Sequence, residues 1–129
     1  MAAVFQLEAA IQSAHAARIS GWASDWSAIA LLYETLEQLA PSPVVSLNRA
    51  AALARRDGAQ AGLRKLDAIN QPSLKSYQPY WALRAHLLDA LGLGSEAVVA
   101  YDEAIARERD PAVIRFLAER RTATERPPR

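Results

Sequence analysis

A basic residue followed by alanine recurs along this chain at nearly constant spacing, and that recurrence limits the fold more than any other feature. Arg49-Ala50 returns as Arg84-Ala85, 35 positions later, and His15-Ala16 stands 34 positions before Arg49-Ala50. A repeat of about that length holds two helices and a turn. The punctuation agrees. Breaks at Ser20-Gly21, Pro41-Ser42-Pro43, Asp57-Gly58, Gln71-Pro72, Gly92–Gly94 and Asp110-Pro111 cut the chain into pieces of ordinary helix length. The expected helices are 4–19, 25–40, 43–56, 59–70, 77–91, 95–108 and 111–122. Asp25, Ser95 and Asp110 suit N-caps, and Pro43 and Pro111 suit a first turn, where proline has no backbone donor to lose. No strand is expected: Trp26, Ile29, Leu32, Tyr33, Leu36 and Leu39 recur every three to four positions, which is a helical stripe.

The period is that of tetratricopeptide (TPR) helical hairpins. Trp81, Ala85, Leu88, Gly92, Ala97, Tyr101 and Ala104 follow the TPR spacing, and Ala50, Leu53, Asp57-Gly58, Gly62, Leu66 and Ile69 follow it more loosely. The small residues at Ala50 and Gly62, and at Ala85 and Ala97, let paired helices approach closely while Leu66 and Tyr101 fill the space beside them. The expected fold is therefore all-α: a TPR-like stack of about three hairpins over residues 1–122, with the seventh helix as a cap. An irregular helical bundle is the alternative. Residues 123–129 have nothing to bury and read as a disordered tail.

Each repeat also carries charge at one level. His15, Arg49 and Arg84 precede the small alanine of a first helix, and Glu34, Asp67 and Asp102 follow the large packing residue of a second helix. Helices of a hairpin run antiparallel, so the two ladders are similarly distant from their turns. Structural ion pairs, within or between repeats, are expected for Arg49, Asp67, Arg84 and Asp102, with a repeat acid such as Asp67 holding Arg49.

Chemistry is sparse. The chain has no cysteine, which removes disulfides, thiol nucleophiles and cysteine-bearing zinc sites. His15 and His86 lie on different helices with no metal-ligand spacing, so neither a metal nor a cofactor is expected. His86 and Asp89 stand one turn apart without a nucleophile near them in sequence, and no catalytic residue or small-molecule substrate is expected. The two glycines of "GLGSEA" lack a preceding strand and a Walker lysine, and read as a turn. Fifteen Lys+Arg against 14 Asp+Glu leave a formal charge of +1, so no global field draws the chain to nucleic acid or an anionic membrane. The arginines of 107–129 are interrupted by acids and read as a solvated face. The start lacks the basic segment of a secretory signal, and no stretch approaches the ~18 apolar residues of a membrane span. A cytoplasmic location is expected. Repeat scaffolds bind peptides or proteins in the groove lined by first helices. The groove candidates are Leu47, Asn48, Ala51 and Arg55 in the second repeat and Ala82, His86 and Asp89 in the third.

The stretches "FQLEAAIQSAHA", "DWSAIALLYETLEQLAPSPVVSLNRAAALA", "GLRKLDAI", "YWALRAHLLDALG", "EAVVAYDEAIA" and "IRFLAERR" together resemble one known module. It is the C-terminal TPR-like extension of a group of bacterial extracytoplasmic-function (ECF) sigma factors of RNA polymerase. The likeness covers roughly residues 4–121, with Phe5 where the pattern usually has tyrosine and Ala2-Ala3 where it often has glycine-proline. The resemblance implies an excised domain that follows sigma regions two and four and modulates transcription initiation through protein contacts. Its implied partners are the sigma regions of the same full-length chain, RNA polymerase or a regulator. Two other readings stay open at this point: a duplex-DNA contact through Arg109, Arg115, Arg120 and Arg121, and a free-standing adaptor.

Overall fold

A computed structural model describes residues 4, 6–12 and 25–125. Every regular element among them is helical. A helical segment at 6–12 (α1) is followed by α2 (Trp26–Leu39), α3 (Pro43–Asp57), α4 (Ala59–Ala68), a 3-10 turn (Pro72–Ser76), α5 (Gln78–Ala90), α6 (Gly94–Ala106) and α7 (Pro111–Glu125). His15-Ala16, Ser20-Gly21, Trp22, Phe5 and residues 126–129 lie outside the described residues, as does the turn of the first expected hairpin.

Local chemistry sets the helix starts. Asp25 accepts from the backbone N–H of Ala28 at 3.1 Å, Ser42 from that of Val45 at 3.1 Å, and Asp110 from that of Ala112 at 2.9 Å. Pro43 occupies the first turn of α3 without losing a bond. Ser95 does not cap α6, which begins one residue earlier at Gly94 with Leu93 before it. Gly58 ends α3 at φ +102° and Gly92 follows α5 at φ +76°, backbone angles that a side chain disfavours and that reverse the chain within a few residues.

The chain forms two compact units, Met1–Ile69 and Asn70–Arg129. In the first, α3 packs on both α2 and α4. Ile29, Ala30 and Ala52 form a buried cluster with Trp26, Tyr33 and Leu53 against it. The α3–α4 hairpin closes on small residues, as the repeat spacing predicts: Ala50 is fully buried, and a Cβ on Gly62 would stand 2.5 Å from the Cβ of Ala54. In the second unit, α6 packs on α5 and on α7. Ala85, Ala97 and Ala104 are fully buried there, with Tyr101 2% exposed beside them. Helix α7 continues three residues past the expected boundary, so 123–125 belong to the helix and not to a tail.

Candidate functional site

Successive residues of a helix point about 100° apart, so neighbours on α3 serve different purposes. Leu47 and Ala50 face inward and are buried. Ser46 and Arg49 face α2, where Ser46 Oγ donates to one carboxylate oxygen of Glu37 and Arg49 Nη1 donates to the other at 2.7 Å. Lys65 on α4 donates from Nζ to that second oxygen at 3.2 Å. One carboxylate thereby ties three helices together. Partial burial alone would raise the pKa of Glu37, but the hydrogen bonds from Ser46, Arg49 and Lys65 outweigh it and hold the group below the usual glutamate value. Glu34, one turn earlier on α2, stands 3.8 Å from Arg49 Nη2.

The remaining face of α3 carries Val44, Val45 and Asn48. Asn48 is exposed, and these three side chains form one wall of a cavity of about 490 Å³. Tyr33 and Leu36 of α2 and Glu8, Ala9, Ile11 and Gln12 of α1 complete its lining among the described residues. Burial pushes the Tyr33 phenol above its ordinary pKa, so it stays neutral in that wall at ordinary pH. The cavity combines aliphatic walls with two side-chain amides and one carboxylate. It offers hydrogen-bond donors, acceptors and one negative charge.

The other expected groove residues divide. Leu47 is only 3% exposed and belongs to the core, because its direction on α3 is that of the α4 contact and not that of the groove. Arg55 is exposed and lies 5.6 Å over the Trp26 ring, a cation–π contact on the first unit. His86 is exposed on α5. Asp89 is not an open groove residue: it accepts from the Tyr101 hydroxyl at 3.2 Å and stands 3.6 Å from Arg120.

The ion-pair register also needs correction. Arg49 is held by Glu37 and Glu34 rather than by Asp67, because the α2–α3 hairpin sets its partner. Asp102 is held by Arg121 of α7, Nε to Oδ1 at 2.5 Å, rather than by Arg84. Asp67, exposed on α4, and Arg84, half-buried on α5, each make an interaction of their own. Sequence reasoning missed Glu37, yet a signal existed. Glu37 and Ser46 are equally far from the turn at 41–42, and so are Glu34 and Arg49, which in an antiparallel hairpin places each pair at one level.

The arginines near the C-terminus are largely engaged within their own unit. Arg121 bridges Asp102 and Glu125, Arg120 faces Asp89, and Arg107 pairs with Glu103. Arg107 also lies 5.4 Å over the Trp81 ring, whose Nε1 donates to the Lys75 carbonyl at 2.9 Å. No helix among the described residues is long and apolar enough to cross a membrane.

No family model matches the chain. A stretch of 102 residues, 79% of this chain, is 44% identical to an uncharacterized protein of Rhizobium meliloti (strain 1021). That stretch is 24% of the relative, so the chain spans about a quarter of the length of the curated relative it matches. No solved structure matches.

Proposed function

We propose that this chain is a non-enzymatic protein-interaction and regulatory domain of an ECF-type sigma factor, acting in the cytoplasm on transcription initiation. The observation that carries the reading is the fate of its most distinctive stretch, "PSPVVSLNRA". Those residues form a capped hairpin turn and a helix whose Arg49 is spent on structure while Val44, Val45 and Asn48 are left on a cavity wall. A sequence pattern that builds a rigid, partly apolar wall with one amide on it suits protein recognition better than bond chemistry. The 44% identity to one quarter of a longer protein supports a module that works within a larger chain.

The partners in this reading are sigma regions two and four, RNA polymerase or a regulator. Of the four arginines a DNA contact would use, Arg120 and Arg121 are already committed to acids, which leaves Arg109 and Arg115 and makes direct DNA contact the weaker reading. Binding of the purified chain to core polymerase and to a sigma protein carrying only regions two and four, beside a salt titration with duplex DNA, tests the proposal. Saturable binding to either protein, with weak and steeply salt-dependent DNA binding, supports it. Tight binding to DNA alone refutes it.

A further inference from the structure

The cavity between α1 and α3 has a chemical bias that narrows its occupant. Its polar side chains are Glu8, Gln12, Asn48 and the Tyr33 phenol. Among the described residues, the side chains of Glu8, Gln12 and Asn48 make no hydrogen bond or ion pair. This is unusual within the unit: Glu34 and Glu37 both face Arg49, and Asp57 pairs with Arg56. No described lining residue is a cation. A ligand seated there meets one uncompensated carboxylate, two amides able to donate and accept, and aliphatic surface from Ile11, Leu36 and Val44.

From this we infer that the cavity is a docking site for an extended peptide segment that presents a lysine or arginine between aliphatic residues. Glu8 pairs with the cation across the α1 wall. The amides of Asn48 and Gln12 satisfy backbone N–H and C=O groups, which an extended strand leaves unpaired and a helix does not. A volume of about 490 Å³ takes the side chains of only a few residues. The α3 wall from Val44 to Asn48 is one helical turn, about 6 Å, the reach of two extended residues. An acidic C-terminal peptide would meet like charge at Glu8 and is disfavoured. This inference deepens the proposed function by giving its partner a chemistry, and rests on it only in calling the partner a protein.

The experiment uses the chain as it stands and two fluorescein-labelled peptides, Gly-Ser-Val-Lys-Val-Ser-Gly and the same with glutamate for lysine, read by anisotropy. The lysine peptide binds saturably with a Kd below about 1 mM, and the glutamate peptide at least about fivefold more weakly. Glu8→Lys, at an exposed position, abolishes that preference with an unchanged circular dichroism spectrum, and Asn48→Ala weakens both peptides alike. Equal binding of the two peptides, preference for glutamate, no binding of either, or a preference that survives Glu8→Lys overturns the inference. Sedimentation covers the remaining occupant: self-association lost in Glu8→Lys makes the cavity a contact between copies and also overturns it. Lysine-peptide binding by a chain that never binds polymerase or sigma regions keeps this site and rejects the sigma-factor reading. The converse keeps that reading and rejects the site.

Discussion

Arg49 and Glu37 meet across 2.7 Å between α3 and α2, and the carboxylate of Glu37 is shared with Ser46 and Lys65. The pair is only partly open to water, with side chains 23% and 19% exposed. Removing Glu37 takes the hydrogen-bonding carboxylate from two cations on two other helices at once, leaving Arg49 only Glu34 at 3.8 Å. Glu37→Ala is expected to lower stability by about 1–3 kcal/mol, more than Arg49→Ala, which leaves Glu37 with two donors. Thermal melts of the isolated chain and both variants check the order. Equal melting of all three proteins would show that the shared carboxylate contributes nothing.

The same carboxylate predicts an acid limb of stability. Its native pKa lies below the ordinary glutamate value of 4.5, so its contribution is fully present above that pH and is lost as pH falls through the lowered native value. Glu37→Gln is expected to flatten that part of the stability curve and to leave the curve near neutrality parallel to wild type. Urea midpoints measured from about pH 7 down to about pH 3 read this directly.

The glycines separate packing from propensity. A methyl group on Gly62 would meet Ala54 Cβ at 2.5 Å and the Ala50 carbonyl oxygen at 3.0 Å, both on a rigid neighbouring helix. On Gly94 it would meet nothing closer than the Thr124 carbonyl oxygen at 3.5 Å, an ordinary contact. Gly62→Ala is expected to cost about 1–3 kcal/mol despite the better helix propensity of alanine, and Gly94→Ala to be neutral or slightly stabilising. Denaturant midpoints of the two variants test the contrast.

These residues also show what could be read before any coordinates. The close-approach positions Ala50, Gly62, Ala85 and Ala97 were legible because small residues at repeat spacing have few other uses, and helix starts were legible at Asp25 and Asp110 from cap chemistry. The 3-10 turn at Pro72–Ser76 was not, since a single turn has no periodicity to detect. Helix α4 ends at Ala68, short of the expected 70: Ile69 is already extended, at φ −77° and ψ 109°, before the turn at Pro72. Arg49 and Asp102 are ion-paired as expected, but their partners were not legible. Repeat position says which residues are equivalent, whereas a partner is set by which helices touch, so Asp102 finds Arg121 on α7 and Arg49 finds the acids of α2. Leu47 and Asn48 show the same limit one residue apart: adjacency in sequence said nothing of which faced the core.

The division of labour between Asn48 and Arg49 is the centre of this account. If the proposed sigma-factor function holds, one measurement addresses it most directly: promoter-specific transcript yield from core polymerase and a sigma factor carrying this chain, for wild type and Asn48→Ala, normalised to folded protein by thermal melt. The prediction is a melting temperature within about 1 °C of wild type, since an exposed amide without partners among the described residues supports little structure, together with a clear fall in transcript yield. Unchanged yield from Asn48→Ala, or a fall fully explained by early melting, contradicts it.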